Sequence, residues 1–298
     1  MRENLRESLA SEDAVMFGPG RRLVGIATSP AKSGGGALDT GVILFNAGVV
    51  HRVGPNRLYV TLARRLSKSG FAVLRFDHSG IGDSLPRHDD LSFEQSSVAE
   101  GLDAMNWLAA EHGCDKFVLI GLCSGTLTAF KAAQADPRVV SLVLLTALLQ
   151  DPSTVTDEVV AEAANRRVAR SYLVEKAGRA NAWHRLMTGR ANYRNAWRTL
   201  RRLASAPFQS RPIDGGTAAI LTQLERLLAR GVSVLFLFAE PTTVLEYFRM
   251  TLEPRLSELR KHGRIDTAIL TQADHTFTQL RHQRRVVEII SEWLLPCT

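Results

Sequence analysis

One stretch of the chain, LIGLCSGTLTAF, holds a cysteine whose thiol could act as a nucleophile. Its beginning is typical of a strand and its end of a helix, and the motif G-L-C-S-G lies between them. A strand that turns sharply into a helix leaves space only for small residues two before and two after the turn residue. Gly121 and Gly125 meet this requirement around Cys123, whereas a nucleophilic Ser124 would place Leu122 in the crowded position. The spacing therefore predicts Cys123 as the nucleophile, and the alternative is a structural cysteine at a strand end.

A thiol nucleophile needs a base, which this layout places on the loop after the last strand. That loop reads TQADHTF and contains His275, the only histidine between the last predicted strand and the closing helix. We therefore predict that His275 is the base. Five other histidines stand in polar or helical sequence and are predicted to be surface residues: His88, His112, His184, His262 and His282.

The acid that would orient the imidazole is expected after the penultimate strand. The sequence there, LFLFAEPTTVLEYF, offers Glu240 and, further along, Glu246. Thr242 occupies the more usual position for an aspartate. Glu240 could instead be a charge at the start of a helix, and Asp151 is another candidate. A thiol can also work without a strong third member, because a helix N-terminus stabilises the thiolate.

Two loops could stabilise the oxyanion that forms during acyl transfer. The backbone N–H of Ser124 follows the nucleophile, and the loop FNAGVVHR contributes a turn at Gly48 and Val49. We predict an oxyanion hole from these three residues. His51 and Arg52 come next and are predicted to bind substrate. Arg52 could hold a phosphate or a carboxylate, or it could pair with a local acid.

Apolar segments alternate with helical ones along most of the chain, which favours an α/β fold with a mainly parallel sheet covered on both faces. A Pro-Gly turn joins the first two strands into a hairpin. The turn DHSGIGDS has too few glycines for a dinucleotide site and is predicted to pack beneath the active site. The predicted strands are residues 14–18, 23–28, 42–47, 71–77, 116–121, 139–146, 232–238 and 265–271.

The alternation breaks between residues 150 and 212, which are helical in pattern and rich in arginine. We predict a helical cap there, inserted into a core of residues 1–149 and 213–298. From residue 166 to residue 211 the chain has twelve basic residues and one acidic residue, Glu175. This charge suggests an anionic partner, such as coenzyme A, an acyl carrier protein or a membrane surface, and a solvated helical face is an equal alternative. Nucleic acid ranks last because no nucleic-acid-binding motif accompanies the charge.

The composition narrows the class of protein. A chain of 298 residues with 45% apolar residues can bury a large core as one domain with an insertion. No apolar run is long enough to span a membrane, and the charged N-terminus does not resemble a signal peptide, so we expect a cytoplasmic protein. Three scattered cysteines indicate neither a disulfide framework nor a zinc site, and we expect no cofactor or metal. The sequence is compatible with a homodimer.

Several motifs together resemble the α/β-hydrolase superfamily: FNAG, GPNRLYVTLAR, GFAVLRFDHSGIGDS, GLCSGT and ADHTF. More narrowly, they are similar to exosortase-associated hydrolases and related members of biosynthetic clusters, whose elbow also carries cysteine. The resemblance covers roughly residues 20–295. It implies the α/β-hydrolase fold and an acyl-enzyme mechanism in which Cys123, His275 and an acid form a triad. Thr242 departs from this pattern, since many relatives have aspartate there.

Three functions remain open at this point. The preferred hypothesis is acyl transfer or thioester hydrolysis through a Cys123 thioester, with an acyl-coenzyme A or acyl-carrier-protein donor in a biosynthetic pathway. The second is a carboxylester or peptide hydrolase of the same fold. The third is a catalytically silent protein whose basic cap binds an acidic partner.

Overall fold

The structure is a computed structural model that describes residues 11–30, 39–149, 163–164, 166–167 and 215–295. The predicted cap lies outside the described residues, apart from four helical positions at 163–164 and 166–167. Asp151, His184 and most of the arginine-rich segment are therefore outside them too.

The described core contains one eight-stranded sheet with the strand order β1-β2-β4-β3-β5-β6-β7-β8. β1 pairs antiparallel with β2, and β2 pairs antiparallel with β4, while the six strands from β3 to β8 are parallel. The hairpin and the mainly parallel sheet predicted from the sequence are confirmed. The strands are β1 (Glu12–Phe17), β2 (Leu23–Thr28), β3 (Thr40–Phe45), β4 (Ala72–Phe76), β5 (Lys116–Leu122), β6 (Val139–Leu145), β7 (Ser233–Glu240) and β8 (Ile265–Thr271).

Helices lie on both faces of this sheet. One face is covered by α1 and α7, and the other by α2, α3, α4 and α5. Each face of the sheet has its own hydrophobic cluster. The helices are α1 (Leu58–Lys68), α2 (Phe93–His112), α3 (Ser124–Ala135), α4 (Gly215–Ala229), α5 (Thr243–Thr251), α6 (Leu256–Leu259) and α7 (Leu280–Leu294). None of these helices is long and apolar enough to cross a membrane.

The central strands are apolar on both sides because each side faces a helix layer. In β3, Val42 and Leu44 join the cluster under α1 and α7, while Ile43 and Phe45 join the opposite cluster. All four side chains are completely buried. This explains why the strand reads as a continuous apolar run rather than as an alternating pattern.

The connections place the ends of β3 and β5 side by side. β3 pairs with β4 on one side and with β5 on the other, and the helices that follow β3 and β5 cover opposite faces. Such a switch in direction opens a crevice at the carboxyl ends of the two strands, where ligands of open α/β sheets bind. The loop after β3, which holds Gly48, Val49, His51 and Arg52, and the turn after β5, which holds Cys123 and Ser124, begin there.

One surface prediction is wrong. His282 lies on the inward side of α7 and is only 8% exposed, among residues that pack against the sheet. Its neighbours in sequence are polar, but the helical period turns it toward the core. His88 and His262 are exposed and His112 is partly exposed, as expected of surface residues.

Candidate active site

Cys123 occupies the sharp turn between β5 and α3. Its backbone has φ 54° and ψ −119°, a conformation that a non-glycine residue adopts only when the surrounding structure enforces it. A side chain on Gly121 would come within 2.3 Å of the Gly125 carbonyl oxygen, and one on Gly125 within 2.4 Å of the Phe45 carbonyl oxygen. Glycine at both positions therefore lets the turn pack against itself and against the end of β3.

The turn is tied to its neighbours by backbone and side-chain bonds. The Cys123 N–H donates to the carbonyl oxygen of Leu145 at 3.0 Å, which fixes the elbow against the end of β6. Below it, the buried Tyr59 hydroxyl donates to the Phe45 carbonyl oxygen at 2.6 Å. Burial, and after it a negative charge on Cys123, raises the pKa of Tyr59, so this phenol stays protonated and keeps its bond. Cys123 is a half-buried free thiol that packs against the same cluster as Ala47.

His275 lies on the loop after β8, as the sequence predicts. Its neighbours Ala273 and Phe277 are buried in the cluster against which Cys123 also packs. The Asp274 carboxylate accepts the backbone N–H groups of Thr276 and Thr278, each at 3.0 Å, and so shapes the loop. Burial lowers the pKa of His275, and the charge of Asp274 opposes this effect. The imidazole is therefore neutral near pH 7 and able to accept a proton.

No hydrogen bond joins Cys123 to His275 within the described residues. Both side chains stand on loops at the carboxyl edge of the sheet, on strands β5 and β8 that are separated by β6 and β7. Hydrogen bonds between a nucleophile and its base are often long before substrate binds, so the pairing of Cys123 with His275 stays a prediction.

The acidic candidate Glu240 has a different partner from the expected one. Its carboxylate accepts a hydrogen bond from Arg249 at 3.0 Å, and Arg249 also donates to Glu246 at 2.7 Å. No hydrogen bond links Glu240 to His275 within the described chain. Thr242 caps α5, since its hydroxyl donates to the Ala239 carbonyl oxygen at 2.7 Å and accepts the Leu245 N–H at 3.3 Å. The usual aspartate position is therefore filled by a helix cap.

The loop after β3 approaches the elbow, as predicted. Its contact there is with the side chain of Ser124. The Gly48 N–H donates to the Ser124 hydroxyl oxygen at 2.6 Å. The next residue, Val49, is 86% exposed, and the Val50 N–H closes the turn on Ala47 at 3.0 Å. The two loops predicted to form an oxyanion hole are thus in contact, and the Gly48 amide already has an acceptor.

Arg52 pairs with local acids, the alternative that the sequence left open. Its guanidinium contacts the carboxylates of Asp77 and Asp83, and its backbone N–H donates to Asp77 at 2.5 Å. The Asp77 side chain is completely buried, so the arginine neutralises a charge within the core. Glycine is required at position 82, because any side chain there would collide with Asp77. His51 is exposed.

The turn DHSGIGDS makes two polar contacts with neighbouring segments. Asp77 fixes the loop that carries Arg52, and the next residue, His78, contacts Glu100 of α2 at 2.8 Å through its Nδ1. Both partners of this pair are at least 95% buried. These roles were not predicted from the sequence, although a carboxylate at the end of an apolar strand, directly before a glycine turn, indicates a buried partner. No group of three or more potential metal ligands occurs among the described residues.

Comparisons with known proteins agree with this architecture. Residues 42–174 match the family model described as the alpha/beta hydrolase fold. An esterase from Pyrococcus furiosus is 14% identical, with a TM-score of 0.57 over 99% of this chain and 93% of that one. A serine hydrolase homologue from Coxiella burnetii is also 14% identical, with a TM-score of 0.53 over 95% and 97%. A dienelactone hydrolase from Anabaena variabilis, again 14% identical, has a TM-score of 0.51 over 96% and 98%.

These similarities establish the fold. The chain has the α/β-hydrolase fold, with a mainly parallel sheet of eight strands flanked by helices. A search of curated protein sequences finds no significant match.

Proposed function

We propose that this chain, which has the α/β-hydrolase fold, transfers acyl groups through a thioester on Cys123. The observation that supports this proposal best is the packing of the elbow. The glycines at 121 and 125 fit only with residue 123 at the apex, and that residue is a cysteine. His275 serves as the base, and no carboxylate is needed as a third member.

The reaction proceeds in two acyl-transfer steps, first to Cys123 and then to the acceptor. His275 takes the thiol proton, the Cys123 sulfur bonds to the acyl carbon, and the electron pair of the carbonyl π bond moves to its oxygen. When that pair returns, the bond to the leaving group breaks, and His275 gives its proton to the leaving group. An acceptor then attacks the thioester, loses its proton to His275 and releases the thiolate. Buried Tyr59 donates to the Phe45 carbonyl oxygen and supports the end of β3 beside the elbow.

The choice of sulfur favours acyl transfer over simple hydrolysis. A thioester is close in energy to thioester donors and is attacked by amines more readily than by water. The arginine-rich sequence between residues 166 and 211 would suit the phosphate groups of coenzyme A or of a phosphopantetheine arm. We therefore propose an acyl-coenzyme A or acyl-carrier-protein donor, and a role in a biosynthetic pathway in the cytoplasm.

A second candidate is the hydrolysis of carboxylic esters. It is supported by the solved structures of the same fold, which include an esterase and serine hydrolase relatives. In this case water is the acceptor, and the sulfur replaces the serine oxygen as nucleophile in the same elbow.

One comparison separates the two candidates. The purified protein is offered acetyl-coenzyme A or p-nitrophenyl acetate, each with and without an amine acceptor such as hydroxylamine. Acyl transfer predicts faster turnover of the thioester and capture of the acyl group by the amine. If ester hydrolysis outpaces transfer with every acceptor, the first proposal fails and the second stands. Loss of all turnover in Cys123→Ala, but not in Cys114→Ala, would assign either activity to this site.

A further inference from the structure

The hydroxyl of Ser124 has a position that the mechanism above does not use. Its oxygen lies 2.6 Å from the backbone nitrogen of Gly48 and accepts that N–H. Ser124 is the first residue of α3, directly after Cys123, and is exposed in the described part of the chain. The bond therefore joins the elbow to the loop after β3, one residue from the sulfur.

This bond changes which groups can stabilise an oxyanion. An amide N–H carries one hydrogen, and that of Gly48 points to Ser124 instead of to a substrate. An oxyanion hole of acyl-transfer enzymes uses at least two donors near the nucleophile. One is available in the backbone N–H of Ser124, because the first amides of a helix have no partner within it. The loop after β3 no longer offers Gly48 as the direct second donor.

A serine hydroxyl can fill this role while it holds the Gly48 amide. It has two acceptor lone pairs and one hydrogen, and the amide occupies only one lone pair. Within the described residues, the Ser124 hydroxyl takes part in one hydrogen bond, as the acceptor, and donates none. An O–H group whose oxygen accepts a hydrogen bond is also polarised, which strengthens the bond that it donates.

We propose that the Ser124 hydroxyl is a catalytic oxyanion donor, aimed by Gly48 and acting together with the Ser124 backbone N–H. The inference rests on the proposed acyl transfer through Cys123. As the sulfur bonds to the acyl carbon, the carbonyl oxygen gains the π electron pair and accepts a hydrogen bond from this hydroxyl. The hydroxyl keeps its proton throughout, and its bond to the substrate weakens when the pair returns and the leaving group departs.

The test compares Ser124→Ala with Ser124→Thr in the full-length protein. Acylation by p-nitrophenyl acetate is followed as the release of nitrophenolate in the first turnover. Loss of one oxyanion donor predicts a rate lower by ~10²–10³-fold in Ser124→Ala, with KM changed by only a few-fold. Ser124→Thr retains a hydroxyl and should keep most of the rate.

Alkylation of Cys123 by iodoacetamide provides the matched control reaction. A C–S bond forms and iodide leaves, but no oxyanion develops, so Ser124→Ala should be alkylated at the wild-type rate. The proposal is overturned if Ser124→Ala is acylated as fast as the wild type or faster, because the hydroxyl would then only block the Gly48 amide. It is also overturned if alkylation falls together with acylation, which would indicate a structural role.

Failure of the underlying acyl transfer gives a different result. Wild-type Cys123 would then be alkylated by iodoacetamide but not acylated by the ester or by acetyl-coenzyme A. Both proposals would fall in that case, whereas normal wild-type acylation with an unaffected Ser124→Ala overturns the oxyanion role alone.

Discussion

The packing of Gly125 makes the elbow testable by adding a single methyl group. A Cβ atom on this residue would lie 2.4 Å from the Phe45 carbonyl oxygen and 2.6 Å from that of Asn46. Both are backbone atoms at the end of β3, so neither can rotate away. Ordinary contacts of a Cβ atom begin near 3.4 Å. Gly125→Ala must therefore push the end of β3 and the elbow apart by about 1 Å, a shift that can lower an enzymatic rate by about 10²-fold.

The change also has a cost in stability. Overpacking of a well-packed core typically lowers the free energy of unfolding by about 1–3 kcal/mol. Gly113→Ala is a suitable control, because this glycine ends α2 in a left-handed conformation and a Cβ there meets nothing within 4 Å. Its cost is about 1–2 kcal/mol from backbone strain alone. The two variants should thus lose similar stability while only one moves the active site.

The assay measures acylation of Cys123 by p-nitrophenyl acetate, together with urea denaturation. We expect Gly125→Ala to lose about 10²-fold in acylation rate, and Gly113→Ala to keep the wild-type rate. Equal rates in the two variants would refute the account, since the elbow would then not depend on the close approach of Gly125 to β3.

Three further predictions concern residues around the site. Asp274→Asn removes the charge that raises the pKa of His275, so the imidazole stays neutral to lower pH. The acid limb of the pH–rate profile for acylation should therefore shift to lower pH, and an unchanged limb would exclude His275 as the base. Arg52→Leu leaves the buried Asp77 carboxylate without its cation and should lower the free energy of unfolding by about 3–5 kcal/mol, whereas a substrate anchor would raise KM at unchanged stability. Thr242→Ala removes a helix cap and should cost about 1 kcal/mol while leaving acylation intact; a large loss of rate would assign Thr242 to the catalytic machinery.

The elbow and the sheet could be predicted because their causes are local in sequence. The glycines at 121 and 125 are needed by any sharp turn from strand to helix, so their spacing pointed to Cys123 directly. The inner strands of the parallel sheet are buried on both faces and read as unbroken apolar runs, as residues 234–239 of β7 do. His275 follows from the same topology, since it is placed by the end of the last strand.

Contacts between side chains that are far apart in the sequence could not be predicted in this way. Glu240 and Arg249 are nine residues apart and meet only because a helix begins between them. The contact of Gly48 with Ser124 depends on the register of β3 against β5, which brings residues 76 positions apart together. His282 was assigned to the surface from its polar neighbours, although its place on the helix turns it inward.

The proposed function depends on the sulfur of Cys123 as the carrier of the acyl group. Its most direct test is intact-mass analysis of the protein after a brief incubation with acetyl-coenzyme A, followed by peptide mapping. We expect the mass of one acetyl group on the peptide that contains Cys123, absent in Cys123→Ala and present in Cys114→Ala. An acetyl group on the Ser124 oxygen, or full turnover in Cys123→Ala, would contradict it.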